Sequence, residues 1–360
     1  MKKKRLLLMM LTAAALLLTA SCSKDDDEPQ PVNPPAAAGA RLQVMMVFAP
    51  GQLGDGAYAD NVLTGVSSLE TVAGLQGKDS IDIQFISLYS VSDTRKALKS
   101  WAVSTANPFY EGKYERRLLV LTEPYMAAWL ADVKGQLGES DEVLIIKSNE
   151  AYAQQTADSY GLGSRVHGMD IDISPSVRQY CKYIRNTIAY DDKPFSTTDK
   201  PKVVLFRRYD AKLNTYCDGI EDIVRQELGN EVDLMLTSLS DEVEEKDFSE
   251  ETTMSYLEAA YGLAGFFDAY FKEMGYGFVI ADLGTSNAGI DYYLYGRQTD
   301  YFEVLMIDSD PNTSTNRLAL MRNAKEPVID WVTNWMSQEA GSMPRFKMYD
   351  SSYVEHNIPE

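Results

Sequence analysis

Three polar clusters close apolar runs, and their side chains are suited to hold a small molecule. The first is Gly51-Gln52-Leu53-Gly54-Asp55-Gly56-Ala57-Tyr58-Ala59-Asp60. Its glycines let the backbone turn tightly. Asp55 or Asp60 can cap the helix that follows, and Tyr58 offers an aromatic face with a hydroxyl. The second is Asp282-Leu283-Gly284-Thr285-Ser286-Asn287-Ala288-Gly289. Small polar residues there, Gly284 and Asn287 among them, either expose backbone N–H groups and a helix N-terminus to a ligand oxygen or simply make a tight turn. The third is Ile307-Asp308-Ser309-Asp310-Pro311-Asn312. Asp308 and Asp310 stand two apart, so both can face one crevice. The run imitates the start of a calcium loop, but Thr313 replaces the sixth-position glycine and Ala319 the twelfth-position acid, so no metal is expected. Arg207-Arg208 closes another apolar run, where two guanidiniums suit an anionic group or a nearby carboxylate.

These clusters need a frame that puts strand ends side by side. Apolar runs recur at 42–48, 81–88, 117–121, 142–146, 166–171, 202–206, 232–236, 277–282 and 302–307. They are mostly continuous rather than alternating, as expected of strands buried on both faces. Helical patterns lie between them, for example at 60–72, 94–105, 125–137, 176–188, 213–228 and 253–274. Repeated alternation predicts an α/β chain of doubly wound parallel sheets, and nine strands predict two lobes with a hinge and a cleft between them. In such sheets ligands sit beyond the carboxyl ends of the strands. The clusters above, with 122–125, occupy those positions.

The first residues read as an address. Lys2, Lys3, Lys4 and Arg5 precede an apolar run from Leu6 to Leu18, too short to span a bilayer and suited to a signal peptide. It ends in Leu18-Thr19-Ala20-Ser21-Cys22, which resembles the lipobox of bacterial lipoproteins, whose cysteine is acylated; a plain secretory signal is the alternative. Ser23-Lys24-Asp25-Asp26-Asp27-Glu28 resembles the acidic tag of surface-exported lipoproteins of Bacteroidetes-type bacteria, or is a solvated tether. The expectation is a cell-envelope lipoprotein, lipid-anchored in the outer membrane through Cys22, with surface exposure left open. The whole chain carries a formal charge of −19, and without residues 1–21 it keeps 30 basic against 53 acidic residues. That balance excludes a nucleic-acid partner, which needs a basic face. Cys181 and Cys217 are expected as buried thiols, with a disulfide as the alternative.

In their order, Gly51–Asp60, Gly284–Gly289 and Ile307–Asp310 resemble the basic membrane protein family of substrate-binding lipoproteins, which includes purine-nucleoside receptors. Arg322-Asn323 stands where that family has a Lys-Arg or Lys-Asn pair, and Val328–Val332 matches its late helix. The resemblance covers nearly all of 41–335. It implies a type 1 periplasmic-binding-protein fold with three segments crossing between the lobes. It also implies roles: Tyr58, with Tyr125, stacking on a nucleobase, Asp55 binding from the opening loop, and Asp308 with Arg322 holding ribose hydroxyls. Ala59, Arg207-Arg208 and Arg322 depart from the family pattern, which puts nucleoside specificity in question. The chain then divides into a signal peptide (1–21), a tether (22–40), an N-terminal lobe (41–172 plus 311–341) and a C-terminal lobe (173–310 plus 342–360).

The reading that follows is a binding protein without chemistry and without cofactor. It would take a nucleoside or related small molecule, with a transporter as a further partner. Two histidines, His167 and His356, and the absence of hydrolase, zinc or dithiol motifs argue against an enzyme. A carboxylate-dependent hydrolase using Asp308 with Asp310 or Asp55 is one alternative. A surface interaction protein with a degenerate cleft is the other, and it predicts side chains filling the space between the lobes.

Overall fold

The computed structural model describes residues 42–54, 57–75, 81–106, 114–190, 193–196, 199–207, 219–239, 253–295, 301–312 and 317–360. Cys22, Asp55, Arg208 and Cys217 lie outside them. Strands and helices alternate: β1 (Leu42–Val47), α1 (Tyr58–Leu75), β2 (Ile81–Ile86), α2 (Val91–Ala106), β3 (Arg116–Leu121), α3 (Leu130–Val133), β4 (Asp141–Ile146), α4 (Glu150–Tyr160), β5 (Val166–Ile171), α5 (Ser174–Tyr190), β6 (Lys202–Arg207) and α6 (Ile220–Leu228). Then follow β7 (Asp233–Ser238), α7 (Thr253–Met274), β8 (Gly277–Asp282), α8 (Asn287–Tyr295), β9 (Phe302–Ile307), β10 (Leu318–Arg322), α9 (Lys325–Ser337), β11 (Phe346–Tyr349) and β12 (Val354–His356).

The strands form two six-stranded sheets, ordered β11-β5-β4-β3-β1-β2 and β12-β10-β9-β8-β6-β7. Every pairing is parallel except the short β10–β12 pair. The predicted class therefore holds: two doubly wound α/β lobes. All six residues of β1 are buried, and alternate residues serve opposite faces. Val44 and Met46 pack with α1 and α9 through Val62, Val66, Val328 and Trp331. Met45 and Val47 pack with α2, α3 and α4 through Leu98, Leu130 and Ala153. In the second sheet Val204 and Phe206 face α7 and α8, and Val203 and Leu205 face α5 and α6. Burial on both faces is why these strands read as unbroken apolar runs.

Three details correct the sequence reading. Strands β11 and β12 are too short and mixed to stand out, and with the apolar β10 they place segments in other sheets than expected. Residues 318–322 belong to the second sheet, not the first lobe, and 346–349 pair with β5 in the first sheet, not the second. The helix expected over 125–137 is a 3₁₀ turn, Pro124–Trp129, followed by the single turn of α3. Within 213–228 the described helix starts at Ile220.

The chain crosses between the lobes three times: after β5, after β10 and after β11. The crossings hold one another. Asp172 N–H donates to Tyr349 O at 2.9 Å and Asn323 N–H to Tyr353 O at 2.7 Å. The third crossing thus bonds to each of the other two, and a few such element-terminal residues can act as a hinge.

Candidate functional site

The carboxyl ends of β3, β4 and β9, with the last residue of β10, deliver charged side chains to one buried space between the sheets. Lys147 follows β4, and its Nζ lies 2.8 Å from Glu123 Oε1, just beyond β3. The same Nζ lies 2.8 Å from Asp308 Oδ2, just beyond β9 in the other lobe. Asp308 Oδ2 also accepts from Arg322 Nη1 at 2.8 Å. Arg322 in turn returns to the first lobe, with Nε 3.1 Å from Asp170 Oδ1 on β5. The result is a chain of alternating sign, Glu123–Lys147–Asp308–Arg322–Asp170, that crosses the crevice twice. Lys147 is 7%, Asp308 4% and Arg322 2% exposed.

Local backbone explains how the two central residues aim inward. Lys147 and Asp308 both have φ of 58°, and they are the non-glycine residues with positive φ among the described residues. Such conformations cost on the order of 1–3 kcal/mol each and persist where the surroundings hold them. After Lys147, Ser148 Oγ donates to Ile145 O, and Asn149 caps α4 by accepting from Tyr152 N–H at 2.8 Å. After β9, Asn287 Nδ2 donates to Ile307 O and Ser309 Oγ, both at 2.9 Å, which pins the strand end that carries Asp308.

Tyr58, the first residue of α1, completes the site. Its ring face lies 4.4 Å from Lys147 Nζ, within cation–π range. Gln52 orients Glu123: its Oε1 accepts from Ala49 N–H and Thr122 Oγ1, and its Nε2 donates to Glu123 Oε1 at 2.6 Å. Burial pushes the Lys147 ammonium toward neutrality, but Asp308 and Glu123 outweigh it and hold its pKa well above the ordinary lysine value. Burial likewise pushes Asp308 up, but Arg322 and Lys147 hold it below the usual carboxylate range. Burial raises the Tyr58 phenol. At neutral pH the site therefore holds charged Lys147 and Asp308 beside a neutral Tyr58. The space left among Gln52, Tyr58, Lys147, Gly284 and Asp308 is about 10 Å³, roughly what one water needs.

Of the residues expected from sequence, Tyr58, Gly284, Asp308 and Arg322 meet here. The others do not. Both carboxylate oxygens of Asp60 accept from Gly54 N–H at 3.0 Å, so Asp60 braces the opening loop. Tyr125 packs edge-on against Trp129, 5.6 Å away, on the core of the first lobe rather than beside Tyr58. Arg207 is fully buried at the end of β6 and is not among the described residues lining the space. Asn287 holds strand β9 through its Nδ2, while its Oδ1 is buried without a hydrogen-bond partner among the described residues. Asp310 accepts from Asn312 N–H and Nδ2 in its own turn, so it does not share the crevice with Asp308. Lys147, Glu123, Gln52 and Asp170 were not singled out as site residues in the sequence. Lys147 carries the same signal as Asp308, a charged residue immediately after an apolar run.

The opposite ends of the same strands hold a second buried cluster. Glu142 accepts from Trp335 Nε1 at 3.0 Å and Arg116 Nη2 at 2.6 Å, and it contacts His167 Nε2 at 2.9 Å. His167 Nδ1 faces Pro344 O at 3.0 Å. Both imidazole nitrogens are engaged inside the core, which leaves this histidine no part in crevice chemistry. Cys181 is a buried thiol, its pKa pushed up to about 12 by burial. Among the described residues no His, Cys, Asp and Glu group could hold a metal ion. An apolar hollow of about 380 Å³ lies between α7 and α8, but Glu258 is the one charged residue among its described walls. It lacks the convergent polar groups of a polar-ligand site.

Solved structures that share this fold include type 1 periplasmic binding proteins. A solute-binding protein of an ABC transporter from Agrobacterium vitis, solved with allitol, superposes with a TM-score of 0.55 at 9% identity, over 89% of this chain and 96% of its own. A carbohydrate transporter solute-binding protein from Agrobacterium radiobacter, in complex with D-arabinose, gives 0.54 at 9% identity, over 89% and 95%. A periplasmic binding ribose operon repressor protein from Lactobacillus acidophilus gives 0.51 at 12% identity, over 88% and 96%. The fold is that of the type 1 periplasmic binding proteins. No family model matches the sequence, and no curated protein matches it, so the resemblance to the basic membrane protein family rests on the residues quoted above.

Proposed function

We propose that this chain is an exported, lipid-anchored solute-binding protein that takes a small polar ligand between its lobes and performs no chemistry on it. One observation carries the reading: strand ends from both lobes converge on a single buried space with an aromatic face and paired charges, where ligands bind in α/β sheets. The ligands in the two Agrobacterium neighbours, D-arabinose and allitol, support a polar solute. Nucleoside specificity, which the family resemblance implied, has less support, because Lys147 covers the Tyr58 face on which a base would stack. With about 10 Å³ free, binding requires the lobes to part and the Lys147–Asp308 contact to break. Anchoring through Cys22 rests on the lipobox resemblance, and delivery to a membrane transporter rests on the fold.

A thermal-shift panel of pentoses, polyols, nucleosides, amino acids and amines tests the reading. A true ligand at 100 times its dissociation constant stabilises the protein by about 2.7 kcal/mol, which raises the melting temperature by several degrees. No response to any member would sink it. Loss of acyl labelling in Cys22→Ser tests the anchor separately.

A second reading has its own support. The crevice charges satisfy one another and fill the space, as a surface interaction protein with a degenerate cleft requires. A silent panel together with a partner retained by the intact, closed chain would favour it.

A further inference from the structure

We infer that the crevice is an ammonium cage which the chain fills with its own Lys147, and that the ligand class fitting it in Lys147's place is a protonated primary amine. The inference names the ligand chemistry of the solute-binding reading, and its biological meaning rests on that reading.

The geometry is the complement of an ammonium. An –NH₃⁺ group has three N–H donors and no acceptor. Here it meets Glu123 Oε1 and Asp308 Oδ2, both at 2.8 Å, and the ring face of Tyr58 at 4.4 Å. Each of these attracts a cation, and none is a donor that a neutral hydroxyl would also need. The charge count agrees. Asp308 keeps Arg322 as a partner when Lys147 is taken away, but Lys147 is the sole cation paired with Glu123 among the described ion pairs. Gln52 offers Glu123 a hydrogen bond without charge. A neutral solute in Lys147's place therefore leaves the partly buried Glu123 carboxylate, its side chain 16% exposed, without a counter-charge, which is costly. An amine does not.

Lys147 also behaves as an occupant held in place rather than a wall that happens to be basic. Its backbone is left-handed, a strained state for lysine, and the strain is what directs its side chain across the crevice. Its carboxylate partners come from opposite lobes, so whatever fills the cage joins the lobes.

Removing the occupant tests the cage. Lys147→Ala in the full chain deletes three methylenes and the ammonium, which n-propylammonium restores. Lys147→Gly is the second variant, since glycine takes φ of 58° without strain, and n-butylammonium is its matching probe. The expected result is a saturable rise in melting temperature of about 3 °C or more at 100 mM amine, several-fold above that from n-propanol, n-butanol or sodium chloride at the same concentration. Adding Glu123→Gln should weaken the amine response about tenfold or more. If amine and alcohol act alike in both variants, the cage is wrong. A neutral sugar that stabilises the unmodified chain, with no amine response in the variants, would overturn the cage and leave the solute-binding reading standing. An amine response in the variants, with no solute stabilising the unmodified chain, would support the cage and overturn that reading.

Discussion

Lys147 and Asp308 meet at 2.8 Å across the crevice, and these two are also the non-glycine residues held in left-handed backbone among the described residues. Each lobe strains one residue at a strand end, and the two strained residues are partners. Within each lobe one ion pair survives if the lobes separate: Lys147 with Glu123, and Asp308 with Arg322. Opening therefore breaks Lys147–Asp308 and Arg322–Asp170 while leaving most charges partly compensated. Closure gains two ion pairs, and on opening Asp170 gives up its described ion pair while keeping the Ile171 N–H.

A double-mutant cycle measures that coupling. Asparagine tolerates left-handed backbone, so Asp308→Asn removes charge without adding strain. Asp308→Asn leaves Lys147 with Glu123 and Arg322 with Asp170, and Lys147→Met leaves the partly buried Glu123 without a cation, so each alone should cost about 1–3 kcal/mol. The double variant should cost less than the sum, with a coupling of roughly 1–3 kcal/mol in denaturant unfolding. Additive costs would mean that the two residues do not pair in solution.

Arg322 stands where the resembling family has lysine, and the structure gives a reason for arginine. Its Nη1 reaches Asp308 at 2.8 Å while its Nε faces Asp170 at 3.1 Å, on the other lobe. Lys147 serves two carboxylates with one nitrogen because both converge on it, whereas Asp170 and Asp308 meet different nitrogens of the guanidinium, which a single ammonium does not reproduce. Arg322→Lys should lower stability by about 1–3 kcal/mol. Equal stability would show that one of the two contacts contributes nothing.

The pH dependence follows from the same groups. Although burial opposes it, Asp308 is held below the ordinary carboxylate range by Arg322 and Lys147, and Glu142 is held down by its His167 and Arg116 partners. Groups depressed on folding stabilise above the unfolded value of about 4, and that stability is lost as pH falls through the folded values. Lys147 is raised, so its contribution is complete below about 10.4 and is lost only as pH climbs through its folded value. Unfolding midpoints should stay flat between about pH 5 and 9 as far as these groups set them, then fall on the acid side. Asp308→Asn should flatten part of that acid fall. An unchanged slope would mean that Asp308 is not ionised in the folded protein.

The frame was legible because buried parallel strands write themselves as unbroken apolar runs, and all nine runs became strands. The site was legible where a strand end carried a conspicuous motif, as at Asp308 and Tyr58. Lys147 and Glu123 were harder to see. Each is one charged residue after an apolar run, and nothing local says that three strand ends will converge. Asp60 and Asn287 read alike in sequence, but their side chains brace backbone, Asp60 at Gly54 of the opening loop and Asn287 at the end of β9. Strands β11 and β12 escaped because a strand of three or four residues at a sheet edge needs little apolar patterning, whereas β10 is an apolar, buried run inside its sheet that the sequence reading passed over.

The backbone that aims Lys147 leans on one glycine. A Cβ on Gly168 would lie 2.6 Å from Ser148 Oγ and 3.3 Å from both Asn149 O and Phe346 Cδ2. Ser148 follows Lys147 directly, and its hydroxyl is already committed to Ile145 O. Gly168→Ala must therefore either turn out that hydroxyl or push β11 from β5, and overpacking of this kind costs about 1–3 kcal/mol. Removing the obstacle should restore the fold. Ser148→Ala alone should cost about 1 kcal/mol for its lost hydrogen bond, while Gly168→Ala with Ser148→Ala should be more stable than Gly168→Ala alone. If the second substitution gives no recovery, Ser148 is not what Gly168 makes room for, and the register of Lys147 depends on the β5–β11 pairing instead.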